Sequence, residues 1–351
     1  MSHNCLTQES QLVRIALVGA GFIGSVHARN LAEHPEVRFV GVGDIDAARA
    51  GDLADRMGTD RLTDAEIYDS DQVDAVLIAS STDTHADHLR RAAVAGLPTF
   101  CEKPIDLDLA HAIDTVARVT AAGVAAMVDF NRRFDRDHSE LHRSVRTGEI
   151  GGVELVQLTS RGPSLPPLDY IATSGGQMRD QTVHFFDLAR WITGEDPVDV
   201  FAAGSVFTDP RMAQLGDVDT SVVTLRMPSG ALVQIDSARR TGYGYDERIE
   251  VLGSDGMIES GRRPTGSVSR YGPGRLVGDG LHAGWFERVA PTYRAALDHF
   301  LAALTTGADI GPTLGEALKA QAIAEAAARS LRTGNRETIT YPVTPSAVTT
   351  H

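Results

Sequence analysis

Three glycines between an apolar run and a helical pattern constrain the fold of this chain most. The run that begins at Val13 reads as a buried strand, Gly19, Gly21 and Gly24 follow it, and a helical pattern extends over residues 22–33. Gly19 permits the tight turn out of the strand, Gly21 lets backbone approach a pyrophosphate, and Gly24 lets the helix pack close to the sheet. A glycine turn that binds nothing is the alternative. The strand before the turn and the helix after it favour a dinucleotide site, with phosphate at the helix N-terminus.

An acidic residue closes the second apolar run. Asp44 stands 20 residues after Gly24, directly follows segment 37–43, and precedes Ile45. At that position a carboxylate binds the ribose 2′-hydroxyl and repels a 2′-phosphate. The sequence therefore favours NAD over NADP, although Arg49 nearby keeps NADP open.

Strand-like and helical patterns alternate through the first part of the chain. The predicted strands are 13–19, 37–43, 74–79, 97–101 and 124–128. The predicted helices between them are 22–33, 46–57, 83–95 and 107–121. Such alternation predicts right-handed crossovers and a doubly wound parallel sheet of the Rossmann type, here assigned to a domain of residues 1–128.

The pattern changes after this point to an α+β arrangement. Strand-like runs at 153–160, 198–207, 218–227, 231–239 and 247–253 have mostly short connections, and helices are predicted at 134–146, 179–193, 285–305 and 313–332. Short connections predict a large open sheet that is mainly antiparallel. We expect the helix 179–193 to cover one face and another subunit to cover the other, because a bare sheet would expose too much apolar surface. This second domain is assigned to 129–341, with a tail at 342–351, and the helix 313–332 could return to the first domain.

Composition limits the class of protein. The chain has 351 residues, 42% of them hydrophobic, and a formal charge of −14. That charge argues against nucleic acid or anionic membranes as partners. Apolar runs are too short to span a membrane, and the first eleven residues are polar, so we expect a soluble cytoplasmic protein. Cys5 and Cys101 are too few for a disulfide framework.

Two segments carry residues suited to catalysis. Lys103 follows the predicted strand 97–101, at an edge where side chains line the cofactor crevice, and Pro104 could fix its turn, for instance through a cis peptide. A solvated loop lysine is the alternative. Asp180 and His184 are four positions apart and share a face of the predicted helix. An acidic cap residue followed by a structural histidine is the alternative for that pair.

Together these groups suit the oxidation of an alcohol. Hydride can leave a carbinol carbon only if the hydroxyl proton is also removed, and His184 is the candidate base. Lys103 could stabilise negative charge on the same oxygen, while Asp180 orients the lysine or the imidazole. No metal is expected: there is no His-Glu-x-x-His pattern, and His85, near His88, is explained more simply by capping or cofactor contact.

With these residues assembled, the chain resembles the Gfo/Idh/MocA oxidoreductase family, and within it the inositol 2-dehydrogenase group. The resemblance covers nearly the whole chain, through the segments 19–24, 101–107, 130–135, 174–191, 216–220 and 239–250. It implies that Lys103, Asp180 and His184 are catalytic, and that a homotetramer forms through the sheet of the second domain. The expected cofactor contacts are Gly19, Gly21, Phe22, Ile23, Gly24, Asp44, Ile45, Ser80, Thr82, His85, Glu102 and Lys103. The expected substrate contacts are Lys103, Asn131, Arg132, Asp180, Gln181, His184 and Tyr243.

Departures from the family pattern leave the substrate open. Relatives tend to read Ser-Arg-Asp-Pro where this chain has Gly162 in place of the aspartate, and Gln181 and Phe185 replace a methionine and an aspartate. Such changes would alter hydroxyl recognition. The expected reaction is NAD-dependent oxidation of a cyclic polyol, with myo-inositol, scyllo-inositol, another isomer or an aldopyranose as substrate. A keto-sugar reductase and a non-catalytic NAD and sugar sensor are the other hypotheses.

Overall fold

The first half of the chain folds around a parallel sheet. The computed structural model describes residues 12–343, so Cys5, the first residues of the predicted domain 1–128 and the tail beyond residue 343 lie outside the described residues. The strands are β1 (Val13–Val18), β2 (Val37–Gly43), β3 (Asp60–Arg61), β4 (Ala75–Ile78), β5 (Thr99–Cys101) and β6 (Ala126–Val128). The helices are α1 (Phe22–Ala32), α2 (Ala47–Met57), α3 (Asp64–Tyr68), α4 (Thr82–Ala95) and α5 (Leu109–Ala122).

All six strands pair in parallel, in the order β3-β2-β1-β4-β5-β6. This order confirms the predicted Rossmann arrangement, in which the strand order reverses between β1 and β4 and leaves a crevice at the carboxyl ends. The residues of β4, β5 and β6 are buried throughout, because helices cover both faces. The short elements β3 and α3 were missed, since a few residues show no periodicity.

The second half forms a mixed sheet with helices on one face. After a 3-10 helix (Asn131–Phe134), the helices are α6 (Arg136–Arg146), α7 (Leu168–Thr173), α8 (Gln177–Asp180), α9 (Val183–Thr193), α10 (Arg211–Gln214), α11 (Trp285–Thr306) and α12 (Leu314–Thr333). The strands are β7 (Val153–Arg161), β8 (Asp199–Ser205), β9 (Thr220–Arg226), β10 (Leu232–Ala238), β11 (Asp246–Gly253), β12 (Gly256–Ser260), β13 (Arg270–Gly272), β14 (Arg275–Val277) and β15 (Glu337–Thr338).

Seven of these strands form one sheet in the order β12-β11-β7-β10-β9-β8-β15. The pairs are antiparallel except β7 with β10, which run in parallel, so the expectation of a mainly antiparallel sheet is confirmed. Side chains from α9 and α12 share a hydrophobic cluster with the inward residues of β9 and β10. The outward positions stay exposed and include apolar side chains, namely Phe201, Val222, Leu232, Leu252 and Met257.

The prediction of one helix over 179–193 was wrong. The structure has α8 ending at Asp180 and α9 beginning at Val183. The Thr182 amide bonds the Gln177 carbonyl five residues earlier, and the Asp180 carbonyl accepts the Lys103 amine from the loop after β5, so the regular ladder is interrupted between the two helices.

Two long helices join the halves of the molecule. Leu297, Phe300 and Leu301 of α11 pack in the same cluster as Phe100 and Met127 of the parallel sheet. On α12, the Gln321 amide donates to the Asp106 carbonyl in the loop after β5. The division into domains 1–128 and 129–341 stays a prediction, since chain from the second segment completes the core of the first. Within residues 12–343, no helix combines the length and apolar character needed to cross a bilayer.

Candidate active site

Each glycine of the first turn has a distinct spatial requirement. Gly19 has φ +104°, and a Cβ on it would stand 2.4 Å from the Ala79 carbonyl oxygen. A Cβ on Gly24 would stand 2.0 Å from the Gly19 carbonyl oxygen, so the helix can cross the turn only with glycine there. A Cβ on Gly21 would meet nothing within 4 Å. Gly21 also begins α1 without a side-chain cap, which leaves open space and free amides at the helix N-terminus.

The Asp44 carboxylate is fixed beside this turn. One oxygen accepts the Ala20 amide at 2.7 Å and the other accepts the Asp46 amide at 2.8 Å. Ile45 follows Asp44 in the chain, Phe22 begins α1, and both apolar side chains are largely exposed. Anion-binding amides, a carboxylate after β2 and uncovered apolar surface together fit a dinucleotide with a free ribose 2′-hydroxyl.

The next two strands also end at this edge of the sheet. Ser80 follows β4, where its hydroxyl bonds Thr84, and Thr82 is the first residue of α4. The His85 ring is buried and faces two carbonyl oxygens, that of Ser80 at 3.1 Å and that of Pro104 at 2.8 Å. His85 therefore holds the loops after β4 and β5 together, and its predicted contact with the cofactor stays a prediction.

The Lys103 amine reaches across the crevice to α8. It donates to the Asp180 carbonyl at 2.9 Å and lies 3.4 Å from the Asp180 carboxylate. The Lys103–Pro104 peptide bond is cis, as the sequence suggested. In a continuous helix the Asp180 carbonyl would accept a backbone amide four residues later. The break between α8 and α9 leaves this carbonyl free to accept the Lys103 amine.

Asp180 has two further partners that the sequence analysis did not predict. Tyr170 donates its hydroxyl to one carboxylate oxygen at 2.8 Å, and Arg239 donates to the other at 3.1 Å. Burial opposes ionisation of this carboxyl, but Lys103, Arg239 and Tyr170 outweigh it and hold its pKa below the usual range. Asp180 is therefore a buried anion that fixes the Lys103 amine.

His184 is neutral in this environment. Burial, followed by the positive charges of Arg132 and Lys103, lowers its pKa well below the usual range. Among residues 12–343, no group bonds its buried Nδ1. The ring stands edge-on to Phe130 at 5.9 Å between centroids. A neutral imidazole close to a lysine ammonium can accept a proton from a substrate hydroxyl.

Arg132 and Asn131 belong to a buried network. Arg132 donates to Glu247 at 3.1 Å, to the Asn131 side-chain oxygen Oδ1 at 2.8 Å and to the Tyr245 hydroxyl at 3.2 Å. The Asn131 amide nitrogen is buried and has no partner within residues 12–343. It is an unpartnered donor of this network among the described residues, while Arg132 acts on His184 through its charge.

The other two expected substrate contacts have protein partners. The Gln181 amide nitrogen donates to the carbonyl oxygens of Ser160 at 2.9 Å and Ala238 at 3.1 Å, so it ties α8 to the sheet. Tyr243 donates to Asp246 at 2.9 Å and borders a pocket of about 600 Å³, which Arg262, Pro264 and residues 279–281 also line. Neither residue is bonded to Lys103, Asp180 or His184 in the described chain, and their substrate contacts stay predictions.

Three residues that bond Asp180 or Arg132 were not predicted from the sequence, because they come from other elements of the fold. Tyr170, Arg239 and Glu247 come from α7, the end of β10 and β11, and only folding brings them to the site. Arg239 and Glu247 lie in the segment 239–250 that carries the resemblance, yet no local pattern indicates what they contact.

Comparison with known families agrees with this geometry. Residues 13–130 match the oxidoreductase family model with an NAD-binding Rossmann fold, and residues 138–259 match the GFO/IDH/MocA C-terminal domain. The chain belongs to the Gfo/Idh/MocA oxidoreductase family. The predicted membership of this family is thereby confirmed for both the N-terminal and the C-terminal domain.

Similar proteins narrow the class of activity. The chain is 41% identical to an inositol 2-dehydrogenase of Rhizobium meliloti (strain 1021), over 91% of this chain and 97% of that protein. It is 34% identical to a scyllo-inositol 2-dehydrogenase (NAD(+)) of Bacillus subtilis (strain 168), over 70% of this chain and 73% of that protein. A crystal structure of a myo-inositol dehydrogenase from Corynebacterium glutamicum ATCC 13032 superposes with a TM-score of 0.89 at 34% identity, covering 94% of this chain and all of that one. This member of the family is an NAD-dependent dehydrogenase that acts on CH–OH donors, as predicted.

Proposed function

We propose that the protein oxidises a ring hydroxyl of an inositol, converting myo-inositol to 2-keto-myo-inositol with NAD as acceptor. The observation that carries the proposal is the convergence of Lys103, Asp180 and His184 at the carboxyl edge of the parallel sheet. Inositol dehydrogenases among the relatives supply the class of substrate.

His184 is the proposed base. Because its imidazole is neutral, it can take the proton of the reacting hydroxyl as the carbon–hydrogen bond breaks. Proton uptake places a positive charge beside Arg132 and Lys103, so the imidazolium is held only transiently and returns its proton to solvent. In the reverse direction the same group donates the proton, which keeps reduction of a keto-sugar open.

Lys103 is proposed to stabilise the reacting oxygen. Its ammonium has three N–H bonds, of which those to Asp180 leave at least one for the substrate. A positive donor at this oxygen favours the negative charge that develops there. Asp180 acts through Lys103, because it holds the amine in place and balances its charge.

The residues of the glycine turn would hold NAD. The amides after Gly21 suit the pyrophosphate and the Asp44 carboxylate suits the adenosine ribose. When bound, NAD supplies the acceptor for the hydride. Ser80, Thr82 and Glu102 occupy the same edge of the sheet and are proposed to complete the contacts.

Scyllo-inositol is the second candidate substrate, because one relative is a scyllo-inositol 2-dehydrogenase. The two isomers differ at one hydroxyl, so discrimination depends on which donors and acceptors the pocket leaves free. In this chain the Gln181 amide nitrogen is engaged with the sheet, whereas the Asn131 amide nitrogen is unpartnered among the described residues. We therefore assign Asn131 the larger part in isomer choice.

The test is NAD reduction with a panel of inositol isomers and aldopyranoses. Lys103→Ala and His184→Ala are expected to lower kcat by roughly 100-fold to 10,000-fold, while Lys319→Ala, a surface lysine paired with Asp196, leaves it unchanged. Full turnover in both site variants would refute the mechanism. Calorimetry that showed NAD and polyol binding without hydride transfer in the unaltered protein would favour a sensor.

We also propose a homotetramer that forms through the exposed face of the large sheet. The apolar side chains on that face, such as Val222 and Leu232, lie on adjacent strands and are about half exposed in one chain. Light scattering coupled to gel filtration measures the mass, and a monomer at micromolar concentration would refute the proposal. The cytoplasmic location stays a prediction.

A further inference from the structure

A cluster of three ionisable side chains lies buried directly behind Lys103. His27 projects from α1, Glu102 follows β5 and Asp129 follows β6, and all three side chains are almost fully buried. His27 Nε2 lies 2.9 Å from Glu102 Oε1 and 3.8 Å from Asp129 Oδ2. Facing atoms of the three groups all lie within 4.8 Å of one another. Neither His27 nor Asp129 has a part in the reaction proposed above.

Asp129 has an unusual set of contacts for a buried carboxyl. Neither of its oxygens receives a hydrogen bond from any group in residues 12–343, and the side chain has no measurable exposure. An ionised carboxylate without donors in such a place would lose its hydration and gain nothing in return. His27 Nε2, at 3.8 Å, is beyond hydrogen-bond distance, and Glu102, the side chain within bonding reach, is itself a carboxyl. Asp129 can therefore bond Glu102 only by donating a proton of its own.

Burial and the neighbouring charges move the pKa values of Asp129 and Glu102 in opposite directions. Burial raises the pKa of Asp129 well above its usual range, and the negative charge of Glu102 raises it further. At Glu102, His27 and Lys103 outweigh burial and hold the pKa below its usual range. The pair therefore keeps one proton on Asp129 and one negative charge on Glu102.

Every element packed around Asp129 contributes to this balance. Positive groups lower its pKa from two sides, Arg132 on the 3-10 helix and Lys103 in the loop after β5. Other titratable groups that face the cluster are His27 on α1, His85 on α4, Cys101 on β5 and Tyr293 on α11. His27 also packs edge-on between Phe100 and Tyr293, with ring centroids 5.5 Å away in each case. The ring is thereby fixed with Nε2 toward the carboxyls.

We propose that Asp129 is a positioning residue that stays protonated at neutral pH, donates its proton to Glu102 and so holds that carboxylate, which also accepts the His27 N–H, as a fixed negative charge beneath Lys103. Ionisation of Asp129 would set two carboxylates against each other at the edge where the cofactor binds. The cluster therefore limits the alkaline range of NAD binding. This inference rests on the proposed function only for where the cofactor lies, and its test needs no polyol.

The first test compares two buried aspartates of opposite character. Asp129→Asn keeps a donor to Glu102 and removes the titrating proton. Asp135→Asn is the matched control, because Asp135 is as buried but accepts two amides and the Arg288 guanidinium. Burial opposes its ionisation, but the electrostatic effect of His138 and the Arg288 guanidinium outweigh burial and lower its pKa to about 2. A carboxyl whose pKa is raised on folding lowers the stability of the protein progressively as pH rises from about 3.9 to that raised pKa. A carboxyl whose pKa is lowered on folding stabilises the protein throughout the neutral range.

The melting temperature of Asp129→Asn relative to the unaltered protein is therefore expected to rise between pH 6 and 9.5. The same difference for Asp135→Asn is expected to be negative and constant over this range. Infrared difference spectra at neutral pH supply a direct signature: Asp129→Asn removes the C=O band of a protonated carboxylic acid, and Asp135→Asn does not. A constant loss of stability in Asp129→Asn with no change in that band would overturn the proposal.

The second test measures NADH affinity against pH by the fluorescence of the bound nucleotide. The unaltered protein is expected to lose affinity at alkaline pH, Asp129→Asn to keep it, and Asp129→Ala to bind about tenfold more weakly at every pH, because Glu102 loses a charge-assisted bond. Identical pH curves for the unaltered protein and Asp129→Asn would refute the positioning role. Metal analysis is the further check, since a stoichiometric ion lost in Asp129→Asn would show that the cluster is a metal site. Because NADH binding is measured without substrate, these outcomes are independent of which polyol, if any, is oxidised.

Discussion

Replacing Arg239 by methionine tests how the site holds its anion. Arg239 is almost fully buried at the end of β10, donates to Asp180 at 3.1 Å, and lies 3.5 Å from the Asp217 carboxylate. Asp217 in turn accepts the Gln177 amide at the start of α8. Methionine has a similar length and no charge, so the variant removes the shared cation of two buried carboxylates without leaving a large void.

The expected cost follows from these contacts. Removing one partner of a buried ion pair costs about 3–5 kcal/mol, since it leaves an uncompensated charge. That is a large fraction of the roughly 5–15 kcal/mol by which a domain is stable. Arg239 is also one of the charges that hold the Asp180 pKa down. Its loss should raise this pKa, so that Lys103 loses its anchor at a higher pH than in the unaltered protein.

Urea unfolding and pH–rate profiles together test whether Arg239 compensates the charge of the two carboxylates. Arg239→Met is expected to unfold at lower urea and to show an acid limb of kcat/KM that moves to higher pH. Arg211→Met is the control, because Arg211 pairs with Asp209 at the exposed surface, and it should leave both curves unchanged. If Arg239→Met unfolded with the same midpoint as Arg211→Met, the claim that Arg239 compensates buried charge would be refuted.

Three further predictions concern the cofactor turn and the base. Gly24→Ala should lower the melting temperature, because its Cβ would stand 2.0 Å from a carbonyl oxygen. Gly21→Ala should fold normally and weaken NADH binding, which fluorescence titration measures. Equal melting temperatures of the two variants would contradict the spatial argument. Asp44→Ser should raise kcat/KM with NADP relative to NAD, by removing the carboxylate that repels a 2′-phosphate, and an unchanged ratio would show that selectivity lies elsewhere. Since burial lowers the pKa of His184 well below its usual 6.5, kcat/KM should hold as pH falls through 6.5, and an acid limb at that value would show a solvated base.

Local patterns predicted the elements well and their interruptions poorly. The strands and helices of the parallel sheet follow from continuous apolar runs and glycine positions, which act within a few residues. At the break between α8 and α9, the Asp180 carbonyl accepts the Lys103 amine, which is 77 positions away in the chain. Ser160 in β7 and Ala238 in β10, whose carbonyl oxygens accept the Gln181 side-chain amide, are 21 and 57 positions from Gln181. The hydrophobic periodicity of residues 179–193 matches one helix, but it cannot indicate which remote groups will form hydrogen bonds with that segment.

The sequence alone determined the dinucleotide fold, the preference for NAD, and the types of residue at the candidate site, because glycines, strand ends and Asp44 act through short-range geometry. Only the tertiary structure decided how those residues are charged. The neutral state of His184, the ionised state of Asp180 and the proton on Asp129 each depend on burial and on partners from other elements. Desolvation and charge act through space, so residues that are distant in the chain decide the chemistry that neighbours in the chain only make possible.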